Sequence, residues 1–345
     1  MSRQYTVSLL ATALLSLAPL VGAAPAPAPA PATAASSAPP ARASLRQFER
    51  DVLSIVALRG EADRLAGAAV LARAVPDLPA VLTYQTFLAR AEAAPGAGAA
   101  VQWVALGNCG KVGPQPEDCI DPKALARLEK LAPDNAAVWL LAFDHARQRG
   151  DDKAARAALA RAAAATEFST YYGVLLHAVL ETTRALPMSA PLVHELTGAD
   201  GNAYAATYMI AAGNVMYLPT PSLAPVFEAC KAPGKNAMLR ARCARIAHLL
   251  AWSDTVIARA AGLALQERLA DSADARARIA TERRTLAWQT QQFAVQVLKA
   301  RNDRALAARL VQLVLEGGTE NSIQLALLRS LGIDTTPPLD WQSGR

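Results

Sequence analysis

Aromatic residues are scarce in this sequence: Phe, Trp and Tyr make up 5% of 345 residues, although 52% are hydrophobic. Ala and Leu therefore carry the hydrophobic content, and both favour helices over strands. A nucleic-acid-binding protein needs a basic stripe with stacking aromatics, and neither is present. The net charge of +6 instead comes from basic residues mixed with acids, as in residues 271–284. We therefore expect an all-α protein with no nucleic-acid partner.

Long hydrophobic runs are also missing beyond the N-terminus, so we expect no membrane span. Residues 1–23 have the layout of an export signal, with one charge at Arg3 and an apolar core at 7–21. Val21 and Ala23 supply the small residues of a cleavage site. The apolar core of about 15 residues is shorter than the about 20 that cross a bilayer as a helix. The sequence therefore predicts a cleaved signal peptide and a periplasmic or secreted protein.

The remaining chain divides by composition into a linker, a domain and a tail. Residues 24–44 are rich in Ala and Pro and cannot bury enough surface to offset their ordering entropy, which predicts a disordered linker. This linker is either an envelope spacer or an inert leader, and we favour the leader because such tracts are compositionally simple. Residues 45–333 form the predicted domain, with a point of subdivision near 187–200. Residues 334–345 are expected to be a flexible tail.

Helical spacing of apolar residues recurs along the whole predicted domain. The runs stop at Gly or Pro, and connections of two to six residues imply antiparallel helical hairpins. We expect 14 to 16 helices in such pairs. Polar residues precede several runs and suit helix N-caps, among them Ser253, Asp274 and Asn302.

One stretch, residues 131–162, has the pattern of a helical hairpin. A junction that ends one helix and caps the next is formed by Pro133, Asp134 and Asn135. The first helix carries a stripe of Trp139, Ala142, Phe143 and Ala146, and the chain then turns at Gly150 and Asp151. The second helix carries the facing stripe of Ala155, Leu159 and Ala162. Large residues opposite small ones let two helices lie close, so we expect Trp139, Phe143, Ala155 and Leu159 to pack together.

This pattern resembles a tetratricopeptide repeat, with one unit at 133–166. Trp103 lies 36 residues before Trp139 with Leu106 and Gly107 after it, which suggests a second, degenerate unit, and residues 244–265 resemble a third. The resemblance implies a tetratricopeptide-like α-solenoid of stacked hairpins. Such arrays serve as binding scaffolds for many unrelated partners.

The four cysteines fall into two pairs that are close in sequence, Cys109 with Cys119 and Cys230 with Cys243. Each pair brackets an interhelical loop, so we predict sequential disulfides, each worth about 3 kcal/mol on the chain-entropy model. A zinc site would need closely spaced Cys or His ligands, and thiol redox chemistry would need a Cys-x-x-Cys spacing. Neither spacing occurs, and the sequence predicts no metal and no cofactor.

The best candidate site lies between residues 171 and 217, which hold five of the seven tyrosines. The residues proposed for it are Tyr171, Tyr172, His177, Glu195, Tyr204 and Tyr208. They either form a polar-aromatic pocket in the concave face or are packing residues with hydroxyls at the rim. We favour packing, because no third ligand or nucleophile has a recognisable spacing. His194 and Glu195 begin no zinc motif, since Gly198 stands where the second His would be.

Two functions are compatible with these features. The favoured one is an exported, non-enzymatic scaffold that binds a protein or peptide partner through Tyr171, Tyr172, Tyr204 and Tyr208, with Arg184 or Glu195 at the rim. The alternative is an envelope hydrolase whose site is built from non-local residues around 171–217. Lytic transglycosylases that contain a helical solenoid carry a Glu-Ser pair, which is absent from this sequence.

Overall fold

Every regular element in the part of the chain that the structure describes is helical. A computed structural model of the protein describes residues 40–108, 120–231 and 236–342. These ranges contain 16 α-helices, a short 3₁₀ turn at Ala80–Leu82 and no strand, which confirms the all-α prediction. The helices are α1 Pro40–Val56, α2 Ala62–Ala72, α3 Tyr84–Ala93, α4 Ala99–Ala105, α5 Pro122–Leu131, α6 Ala136–Gln148, α7 Asp152–Ala164, α8 Tyr172–Thr183, α9 Ala190–Thr197, α10 Ala203–Val215, α11 Ala224–Ala229, α12 Ala237–Ala251, α13 Val256–Leu269, α14 Ala273–Ala300, α15 Arg304–Leu315 and α16 Glu320–Ser330.

Three predicted N-caps, Ser253, Asp274 and Asn302, are wrong by one or two residues. The side chains that cap α13, α14 and α15 are those of Thr255, Ser272 and Asp303. Asp274 instead lies in the first turn of α14, where the helix dipole favours a negative charge. Cap and first-turn positions thus favour overlapping residue types, and composition alone does not separate them.

Helices α6 and α7 form the hairpin that the repeat-like stretch predicts. Asn135 caps α6 by accepting the Ala137 N–H at 3.0 Å. Gly150, in the turn between the helices, has a φ of 71°, a conformation that glycine adopts without steric penalty. The four residues expected to pack together are all buried in the main core: Trp139, Phe143, Ala155 and Leu159.

Helix α8 lies at the centre of the packed helices. It contacts α1 and α2 from the N-terminal part of the described chain, α10 from its middle and α15 from its C-terminal part. The α2–α8 crossing is close at Gly67, where an added Cβ would lie 2.4 Å from the Ala178 carbonyl oxygen. Repeats in a solenoid contact only their sequence neighbours. The packing around α8 therefore includes contacts that nearest-neighbour stacking does not supply, whereas α6–α7 and α12–α13 pair sequentially.

A disulfide joins the end of α11 to α12. Cys230 and Cys243 are bonded, with their Cα atoms 5.7 Å apart and both side chains buried, which confirms the predicted sequential pairing. The other predicted pair, Cys109 and Cys119, lies outside the described residues.

Ordered structure extends past both ends of the predicted domain. Helix α1 begins at Pro40, inside the stretch expected to be a linker. At the other end, residues 334–342, expected to belong to a flexible tail, lie against α14. Arg284 donates to the carbonyl oxygens of Leu339 and Trp341 at 2.9 and 2.8 Å, and Trp341 packs edge-to-face on Trp288.

Candidate functional site

The turn that leads into α8 has an uncommon backbone conformation. Tyr171, the residue before the helix, has a φ of 58° and a ψ of 19°, in the left-handed region that residues with a Cβ seldom adopt. Strain of this kind amounts to about 1–3 kcal/mol and persists only where surrounding contacts impose it. The Tyr171 ring packs edge-to-face on Trp103 at 5.5 Å, and its hydroxyl accepts a hydrogen bond from Asn135 Nδ2 at 3.3 Å.

Two buried side chains from distant parts of the chain hold this turn. Asn135 accepts the Ser169 N–H at 3.0 Å and donates to the Ser169 carbonyl at 2.8 Å. Asp254 accepts the Ser169 hydroxyl at 2.9 Å and the Thr170 N–H at 2.8 Å. Burial raises the pKa of Asp254, and these hydrogen bonds to the carboxylate act in the opposite direction. The start of α6 and the α12–α13 turn are thereby both tied to the start of α8.

Glu320 is a second carboxylate beside Asp254. Its Oε2 accepts the Val256 N–H at 2.8 Å, and its own N–H donates to the Asp254 carbonyl at 3.0 Å. Burial raises the pKa of Glu320, the Val256 hydrogen bond lowers it, and the charge of Asp254 raises it again. Both carboxylates thus accept backbone N–H groups at helix starts. These hydrogen bonds anchor the turn before α8 and the start of α13.

The four tyrosines proposed as a site make different contacts. Tyr172 and Tyr208 lie near each other, and burial raises the pKa of both hydroxyls, so they stay protonated. Tyr171 contacts Trp103 and Asn135 instead. Tyr204 packs under the guanidinium of Arg304, whose central carbon lies 5.7 Å from the ring centroid.

The remaining predicted residues also lie apart. The His177 Nδ1 atom is 3.3 Å from a backbone carbonyl oxygen of α15. Glu195 is exposed on α9 and accepts a hydrogen bond from the Ser44 hydroxyl of α1 at 3.3 Å. Arg184, expected at the rim, forms an ion pair with Glu181 on its own helix at 3.1 Å. These side chains do not converge on one pocket with the tyrosines.

A cleft opens between α10, α14 and α15, and Tyr208 lines it. The space measures about 150 Å³ and is bounded mostly by carbon atoms. We call it the α10 cleft; its lining includes Ala205, Tyr208, Met209, Leu298, Arg301 and Leu310. Met209 and Leu298 are 38% and 64% exposed, so large apolar side chains at this cleft face solvent.

Arg301 lies at the boundary between the α10 cleft and a polar space of about 310 Å³. The polar space is lined by Thr197, Asp200, Asn302 and neighbouring residues, and it shares Arg301 and Leu298 with the cleft. Asn202 fixes the Arg301 backbone, since its Nδ2 donates to the carbonyl oxygens of Ala300 and Arg301 at 2.8 and 3.0 Å. The apolar cleft and the polar space are therefore adjacent, and Leu298 and Arg301 line both.

The Arg301 guanidinium is only partly engaged by the described residues. Its Nη2 donates to the Thr197 carbonyl at 3.2 Å, while its buried Nε has no hydrogen-bond partner among them. No carboxylate in the described ranges forms an ion pair with it. A buried, unpaired donor is unfavourable by about 1–3 kcal/mol. Arg301 thus has hydrogen-bonding capacity that the described chain does not use.

Sequence reasoning misses Arg301, Asp254 and Glu320. The partners of Arg301 and Asp254 lie 104 and 84 residues away, so no local spacing brings them together. Near Arg301 the sequence indicates only that one helix, α14, ends and that Asp303 caps the next. That signal locates a helix end and says nothing about which loop faces it.

No family model, curated protein or solved structure matches this chain. Within the described ranges, no group of three His, Cys, Asp or Glu side chains is placed to hold a metal ion. None of the described helices combines the length and hydropathy that a bilayer crossing requires.

Proposed function

We propose that this protein is an exported, non-enzymatic binding protein that holds an apolar segment of a peptide or protein partner in the α10 cleft. The observation that carries the proposal is an apolar space of about 150 Å³ with the guanidinium of Arg301 at one end. Mostly apolar clefts with a few placed polar groups are typical of ligand sites. An apolar cavity of about this volume accepts benzene, so the α10 cleft has room for one side chain of the size of leucine or phenylalanine.

Two further observations support parts of the proposal. The Cys230–Cys243 disulfide is typical of an oxidising compartment, in keeping with the predicted export signal, which lies outside the described residues. The α6–α7 hairpin, which we interpret as a tetratricopeptide-like unit, supports the site indirectly. Its cap Asn135 also holds the turn before α8, and α8 packs against both α10 and α15.

The contact set differs from the one that the sequence suggests. Tyr208 remains in it because it lines the α10 cleft. Tyr171 is committed to Trp103 and Asn135, and Tyr204 to Arg304. We therefore assign partner binding to Tyr208, Met209 and the facing side chains of α14 and α15.

Binding of peptides to the disulfide-intact protein tests this function. A pool of N-acetylated hexapeptides with five random positions and a terminal leucine is passed over the immobilised protein, and retained peptides are identified by mass. Met209→Trp should fill the cleft and reduce retention at least about tenfold, a change of about 1.4 kcal/mol. Met216→Trp is the matched control, because Met216 follows the same helix, is 75% exposed and lies outside the cleft lining. Equal retention by the two folded variants would show that the cleft is not the site.

A further inference from the structure

We infer that the α10 cleft recognises the carboxyl end of a polypeptide, with the last side chain in the apolar space and the terminal carboxylate on Arg301. The inference rests on the proposed function and adds the chemistry of the ligand. Its first basis is the position of Arg301, which lines both the apolar cleft and the polar space. A ligand in the apolar part therefore reaches a fixed positive charge within one residue of its buried side chain.

The second basis is the unused hydrogen-bonding capacity of Arg301. Its planar guanidinium matches a carboxylate through two parallel hydrogen bonds, a geometry that a lysine ammonium does not offer. Only the Nη2 contact with the Thr197 carbonyl is made, and that contact is to a neutral group. A ligand carboxylate would give Arg301 the ion pair that it forms with no described side chain, Asp200 included.

The third basis is the acceptor Asp200 in the polar space. Asp200 and Arg301 line the same space, and no ion pair joins them among the described residues. The last residue of a polypeptide carries an amide N–H next to its carboxylate, and this donor suits the Asp200 carboxylate. A fatty acid has no such donor, so it would leave the Asp200 carboxylate without a hydrogen bond from the ligand. The site chemistry therefore favours a peptide end over a free fatty acid.

The amount of space supports a single terminal side chain. About 150 Å³ holds roughly six carbon atoms, as the benzene comparison shows. A leucine, methionine or phenylalanine at the last position fits this limit, and a charged last residue would lose its hydration among carbon atoms. The net charge of +6 adds a general attraction for an anionic ligand.

The test compares two peptide pools that differ in one group. Both are N-acetylated hexapeptides with five random positions and a terminal leucine, one with a free carboxylate and one with a carboxamide. The wild-type protein should retain the acid pool at least about tenfold more strongly than the amide pool, since a charge-assisted hydrogen bond is lost in the amide. This comparison needs no variant, so it is unaffected by folding defects.

Variants then test which positively charged side chain binds the ligand carboxylate. Arg301→Gln should abolish the preference for the acid, and Arg301→Lys should retain only part of it. Arg304→Gln is the matched control, because Arg304 is an arginine three residues away that packs on Tyr204, outside the lining of the cleft. Loss of the preference in Arg304→Gln but not in Arg301→Gln would overturn the assignment.

The outcomes separate this inference from the proposed function. Equal retention of both pools, abolished by Met209→Trp, would overturn the carboxylate inference and leave peptide binding in place. Retention of neither pool would overturn both. Binding of hexanoate to the cleft without binding of either peptide pool would also overturn both, since it identifies a fatty-acid site. A strong preference for the acid pool that requires Arg301 and Met209 supports both.

Discussion

The carboxylate of Asp254 accepts the backbone N–H of Thr170 at 2.8 Å, although the two residues are 84 positions apart. The same oxygen accepts the Ser169 hydroxyl, so one buried side chain fixes the left-handed turn at Tyr171 and the start of α8. Because α8 packs against α1, α2, α10 and α15, the position of this turn affects most of the core.

We expect Asp254→Ala to lower the free energy of unfolding by about 2–4 kcal/mol, because it leaves the donors of Ser169 and Thr170 buried and unpaired. Urea denaturation measures the change. Asp340→Ala, at an exposed position, should change stability by less than about 0.5 kcal/mol. Similar midpoints for the two variants would contradict the anchoring role of Asp254.

Stability should depend on pH through Glu49. Burial raises the pKa of this carboxyl to about 7 from an ordinary 4.5, although nearby Arg46 lowers it. A carboxyl with a raised pKa in the folded state stabilises the fold below pH 4.5, and this contribution is lost as the pH rises through 7. The loss amounts to about 3 kcal/mol.

The variant Glu49→Gln isolates this contribution, since glutamine has a similar shape and cannot ionise. Its urea midpoint should exceed that of the wild type at pH 8, and the gap should close at pH 4. Parallel pH profiles for the two proteins would show that Glu49 does not titrate near 7.

Gly67→Ala should destabilise the protein by about 1–3 kcal/mol despite the better helix propensity of alanine. The new Cβ would lie 2.4 Å from the Ala178 carbonyl oxygen and force α2 away from α8. Gly213→Ala provides the comparison, because Gly213 lies within α10 with no atom inside 4 Å of an added Cβ. At this position, replacing glycine by alanine should stabilise the protein by about 0.5–1 kcal/mol. Thermal unfolding should therefore show a lower melting temperature for Gly67→Ala and a higher one for Gly213→Ala than for the wild type. A higher melting temperature for Gly67→Ala would contradict the close crossing of α2 and α8.

Ala155→Trp should overpack the α6–α7 hairpin and lower stability by about 1–3 kcal/mol. Ala157→Trp, on the exposed face of the same helix, should have little effect. The two melting temperatures test the predicted contact between the facing stripes. Equal melting temperatures would mean that α7 does not pack tightly through Ala155.

The parts of the fold that sequence predicts are local in the chain. Apolar periodicity locates the helices, and the stripe that contains Ala155 and Leu159 indicates the α6–α7 hairpin. Both predictions depend only on residues a few positions apart. The Cys230–Cys243 bond is predictable for the same reason, since its two ends bracket one loop.

The parts that sequence does not predict depend on distant polar contacts. Arg284 holds residues 334–342 through backbone carbonyls, which every residue carries, so composition does not reveal the acceptors. The α10 cleft depends on Arg301 meeting the end of α9 at Thr197, 104 residues earlier. Apolar periodicity indicates which face of a helix is buried, but it does not indicate which other helix packs on that face.

The central position of α8 makes part of its packing depend on helices far away in the sequence. Helix α15 covers part of α8 and is among the last helices to be synthesised, whereas α1 and α2 are the first. Contacts of such long sequence separation slow folding, and the exposed face is prone to aggregation until they form. A protein truncated before Arg304 would keep the part of α8 that α15 covers open to other chains, while α1, α2 and α10 would still pack on the helix.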